Sequence, residues 1–71
     1  MYAFSRKLQY LEHTRRYLIA TTDEGWEVRE ERDSEVVRQD RYQDWHRVER
    51  ARRSITIELR DLRARGWADI Q

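Results

Sequence analysis

The sequence has no cysteine, no proline and no asparagine, and only two glycines (Gly25 and Gly66), one lysine (Lys7) and one phenylalanine (Phe4). Without cysteine there is no disulfide, no thiolate nucleophile and no sulfur-ligated zinc or iron. Two isolated glycines cannot build a phosphate-cradling loop of the Walker or dinucleotide type. No apolar run approaches the ~18 residues that span a bilayer, and the start, MYAFSRKLQYLEH, lacks the basic-then-apolar order of a signal peptide. A cytoplasmic protein is the default expectation. The two histidines, His13 and His46, have no further ligand at metal-binding spacing and no nucleophile and carboxylate set beside them. Neither an enzyme nor a metal, cofactor or small-molecule ligand is expected.

What remains is a charged chain of 71 residues, 41% Asp, Glu, Lys and Arg with a net charge of +1, in which 15 basic groups oppose 14 acids. That balance gives no general nucleic-acid signal. A chain this short buries only about 60% of its unfolded surface, so a stability on the order of 4–7 kcal/mol is expected. Eight aromatic residues nevertheless argue against disorder.

Periodicity organises the rest, as one unit over residues 1–71. Trp45, Val48, Arg52, Ile55, Leu59 and Leu62 recur at alternating steps of three and four, which predicts an amphipathic helix over about 45–65. Asp44 suits its N-cap, and Gly66 the left-handed position that ends it. Continuing the stripe upstream meets Arg41, Arg38, Ser34 and Glu31, so the helix does not extend backwards. Residues 16–22, 26–32 and 36–42 instead predict a three-stranded antiparallel meander covered on one face by the helix, an α+β fold. Trp26 and Val28 share a face. A two-residue loop at 33–34 adds Val37 to that face, whereas a three-residue loop adds Val36 and Tyr42. Glu27, Arg29 and Glu31 fall on the opposite face, as a solvated or ion-paired row. Residues 1–15 fit either a helix or a strand; they are expected to form an arm with a helical turn, and 67–71 a tail. Trp45 is expected to anchor the helix near Trp26 or Tyr42, at about 3–5 kcal/mol.

The expected function is a small, non-enzymatic interaction protein, a homodimer or the partner of another protein. Its candidate contacts are apolar residues outside the core and their neighbours: Ile57, Arg53 and Ala64 on the outer helix face, and Phe4 and Tyr10 in the arm. The competing reading is a nucleic-acid-binding regulator. Between Asp44 and Gly66 there are seven arginines and four acids, and Arg47, Arg50, Arg53 and Arg60 are the candidate phosphate contacts. Glu49 with Arg53 and Asp61 with Arg65, each four apart, would spend part of that charge internally.

Overall fold

A computed structural model describes residues 2–70; Met1 and Gln71, the outermost residues of the expected arm and tail, lie outside the described residues. Five strands and one helix follow in the order β1 (Tyr2–Tyr10), β2 (His13–Thr22), β3 (Gly25–Arg32), β4 (Glu35–Tyr42), α1 (Trp45–Ala64) and β5 (Ala68–Ile70). All neighbours are antiparallel, and the sheet order is β4-β3-β2-β1-β5. The α+β class and the single C-terminal helix agree with the sequence reading. The sheet is larger, because the arm is a full strand and the tail supplies a short one.

The arm resolves as a strand because its alternation serves the core. Phe4 stands opposite Ile19, and Leu8 opposite Arg15, so both apolar side chains of β1 point to the face that carries Tyr17 and Ile19. A helical turn would have separated them from it. The connection to β2 is the two-residue turn Leu11-Glu12, in which Leu11 takes a left-handed φ of 55°, uncommon for a bulky residue.

The β3–β4 hairpin combines both expected registers. Asp33 and Ser34 form a two-residue turn with φ values of 52° and 70°, the mirror-image turn that matches strand twist. Beyond it Glu31 faces Val36 but Glu30 faces Arg38, so Val37 is an extra residue in β4. This bulge shifts the register by one, and Tyr42 lands opposite Trp26. The Asp33 carboxylate fixes the turn to β2, accepting from the Thr14 amide at 2.9 Å and lying 3.2 Å from His13 Nδ1.

Helix α1 lies across the sheet. Val48, Ala51, Ile55, Leu59 and Leu62 form its buried stripe and join Phe4, Leu8, Tyr17, Ile19 and Val28 in one core cluster. Ala51 replaces the expected Arg52, whose guanidinium instead lies over the Phe4 ring at 5.4 Å. Asp44 caps the N-terminus, its carboxylate accepting from the His46 amide at 2.9 Å. At the other end Gly66 takes φ 105°, its amide donating to Arg63 O and that of Trp67 to Leu62 O. This is the paired closure of a Schellman motif, and Trp67 packs against the core beyond it. Gly25 is required differently, since a Cβ there would run into the carbonyl oxygen of Tyr42 where β4 leaves the sheet.

On the other face Leu18 is only 2% exposed, flanked by Ser5 and Arg29 across the strands. Arg29 lies between Glu27 at 3.4 Å and Glu31 at 3.6 Å, and Glu27 also accepts from Gln39 Nε2 at 3.0 Å. The expected row of alternating charge is thus an ion-paired layer.

Trp45 does meet Trp26, with ring centroids 5.3 Å apart. It stays 41% exposed at the edge of the stripe, so the energetic anchor is elsewhere. Leu8→Ala should lose about 2–5 kcal/mol in urea unfolding, and Trp45→Ala clearly less. Equal stability of Leu8→Ala and the parent would contradict a role for β1 in the core.

Candidate functional site

The outer face of α1 follows from its 100° step per residue: with Val48, Ile55 and Leu62 inward, His46, Arg50, Arg53, Ile57, Arg60, Asp61 and Ala64 point outward. Ile57 is 58% exposed among them. Arg47 projects from the flank. There it lines a concavity with Trp26, Arg41, Tyr42 and Asp44, next to the β2–β3 turn, so the four candidate phosphate contacts do not form a single row.

The expected internal neutralisation is only partly present. Arg53 lies 3.7 Å from Glu49, but Asp61 meets Arg65 only through its backbone carbonyl. Glu58 turns under the helix to Arg15 at 3.5 Å, and Arg63 reaches Asp69 at 3.0 Å. Among the described residues Arg47, Arg50, Arg60 and Arg65 therefore have no carboxylate partner. The face is more basic than helical spacing alone implies.

Two of the candidate interface residues lie elsewhere. Phe4 belongs to the core rather than to a contact surface, because β1 aims it under the helix. Tyr10 stands at the far end of β1, its ring 5.6 Å from Trp67. Ile57, Arg53 and Ala64 are exposed together on α1.

An open edge that the sequence does not reveal lies along β4. Among the described residues only β3 pairs with it, and both Val36 and Val37, at the bulge, are half exposed, at 50% and 52%. Helical and strand periodicity assign each valine a face; they do not place a bulge. The only signal is the adjacency of two β-branched residues one position beyond a turn.

A buried polar cluster lies between helix and sheet. The Tyr17 side chain is fully enclosed, and among the described residues its hydroxyl makes no hydrogen bond of good geometry, although Arg15 and Glu58 stand beside it. Glu30 beside it is held by Arg32 at 2.8 Å. Burial pushes the Tyr17 phenol up to about 12, helped by the charges of Glu58 and Glu30 and opposed by Arg15. Among the described residues no group of three His, Asp or Glu could hold a metal ion, and no helix is long and apolar enough to cross a membrane.

No family model, curated protein or solved structure matches the chain.

The Tyr17 shift has a defined sign. The unfolded phenol ionises near 10, so the stabilising contribution is complete below pH 10 and is lost as pH rises towards about 12. Tyr17→Phe should flatten that alkaline loss and remove the latest step in an absorbance titration at phenolate wavelengths. At neutral pH it should leave stability unchanged or raise it, since a buried hydroxyl without a partner costs about 1–3 kcal/mol. A variant titrating identically to the parent would contradict the enclosure.

Proposed function

We propose that the chain is a small, non-enzymatic interaction protein that self-associates as a dimer through the open edge of β4. The observation that carries this reading is the exposure of Val36 and Val37 on an edge strand that, among the described residues, has β3 as its one strand neighbour. Such an edge is a template for another strand. Its side chains favour one register. A two-fold axis at Gln39 sets Arg38 opposite Asp40 of the second copy, and Asp40 opposite Arg38, so the segment is complementary to itself. The bulge and the charges also restrain open-ended pairing, which leaves a closed pair as the favoured outcome. The α1 face suits self-association less well: two copies would bring Arg50, Arg53 and Arg60 against one another, with one exposed isoleucine each to offset the repulsion.

Sedimentation at micromolar to millimolar concentration tests this. Val37→Lys should shift the assembly to monomer, whereas Ile57→Asp should leave it unchanged. Arg38→Asp should weaken it, and Arg38→Asp with Asp40→Arg should restore it. Because Arg38 and Asp40 also pair within one chain at 2.6 Å, urea unfolding of the same variants separates monomer stability from association. A parent that is monomeric throughout, or a dimer sensitive only to Ile57→Asp, would overturn the reading.

The unpartnered arginines of α1 favour a second reading, a nucleic-acid contact. Arg50 and Arg60 are about 15 Å apart along the axis, enough to meet two or three backbone phosphates. Binding of a mixed-sequence oligonucleotide would then fall steeply with salt, and Arg50→Glu with Arg60→Glu would abolish it without changing the assembly. Absence of binding at low salt would remove this reading.

A further inference from the structure

On the sheet face away from α1, Lys7 and Arg16 stand directly opposite one another on β1 and β2. Side chains so placed have Cβ atoms only about 5 Å apart, and like charges there repel. Their acidic neighbours are engaged elsewhere. Glu31, opposite Arg16 on β3, lies 3.6 Å from Arg29. Asp69 on β5 accepts from Arg63 Nε with both carboxylate oxygens, each at 3.2 Å. Among the described residues neither Lys7 nor Arg16 has an ion-pair partner.

The two cations line one depression of about 380 Å³ together with Ser5, Arg6, Asp69 and Ile70. Its position follows from the topology. Among the described residues strand β5 pairs with β1 over residues 7–9, which sets Ile70 opposite Lys7 at one side of the depression. Ser5 shares the face of Lys7, two residues along β1, and contributes a hydroxyl. Arg6 is held at the rim, its guanidinium 4.8 Å over the Phe4 ring and its Nη1 donating to the Ser5 carbonyl at 2.8 Å.

We infer that this depression binds a phosphate dianion, either free phosphate or a phosphomonoester, between Lys7 and Arg16. The charges match, since two cations without ion-pair partners meet a group carrying about −1.5 to −2 at neutral pH. The donors match as well. A planar guanidinium and an ammonium can each take separate oxygens, and the serine hydroxyl can donate to a third. A bound dianion sets two attractions against the Lys7–Arg16 repulsion, which in the ligand-free strand pair is offset only by Glu31, a carboxylate shared with Arg29. The site lies on the opposite side of the sheet from the α1 arginines and does not depend on β4, so it stands apart from both readings above.

Amide chemical-shift titrations at constant ionic strength, with sodium chloride exchanged for each probe, test the inference. Inorganic phosphate and methyl phosphate should both produce saturable shifts centred on residues 5–7, 16 and 70 and raise the thermal midpoint. A response to inorganic phosphate alone would assign the site to the free ion; one to both extends it to monoesters. Dimethyl phosphate, with a single charge, should bind at least about tenfold more weakly. Lys7→Gln and Arg16→Gln should each weaken phosphate binding by about tenfold or more, while leaving the ligand-free midpoint equal to or above that of the parent. The inference is overturned if chloride gives the same shifts, if both variants still respond as the parent does, or if the shifts centre on α1.

Discussion

A single helix has to cover the sheet, and the remaining structure follows from how it does so. Strand β4 ends at one edge of the sheet and β5 adds to the other, so α1 must cross about four strand spacings, roughly 19 Å, between them. Its 20 residues extend about 30 Å, sufficient for a diagonal crossing. Both ends are closed, by Asp44 at the start and by the Gly66 turn at the finish. A helix of that length buries its stripe only on a platform wider than three strands. Strand β1 provides the missing width, and its Phe4 and Leu8 join the stripe in one core.

The sequence was legible where periodicity and punctuation agree. The alternation of threes and fours found the helix, and Asp44 and Gly66 fixed its ends. It also admitted Arg52 in place of Ala51, because a small residue gives little signal in a hydrophobic pattern although it is what lets a helix approach a sheet closely. For Tyr2–Tyr10 the strand alternation was present but competed with a helical one. Only the tertiary need for Phe4 and Leu8 on the face of Ile19 decides between them. Strand β5 has three residues, none of them a strong strand former except Ile70. It exists because the Schellman turn returns Trp67 to the core and delivers the chain to the free edge of β1. The bulge at Val37 left only the adjacency of two valines in the pattern, which does not by itself place an extra residue, so the exposed β4 edge could not be anticipated from it.

Charge does most of its work at the margins. The ion pairs whose two members are both exposed, such as Arg53 with Glu49 and Arg38 with Asp40, contribute at most about 1 kcal/mol each. Charged groups also specify arrangement: Arg29 between Glu27 and Glu31 roofs the outer face over Leu18, and Asp33 ties the β3–β4 turn to Thr14. The same pairings determine which cations stay free. With Glu31 and Asp69 engaged, Lys7 and Arg16 are left facing one another, and with Glu58 turned inward the outer face of α1 becomes basic.

The dependence of helix and sheet on one core is most directly tested by native-state hydrogen exchange. Amides of Phe4–Leu8 in β1 and of Ile55–Leu62 in α1 should open with the same free energy, equal to that of global unfolding. Leu8→Ala should lower both together. Exchange of Phe4–Leu8 at the rate of an unstructured peptide, with α1 still protected, would contradict it and return the first strand to the status of an arm.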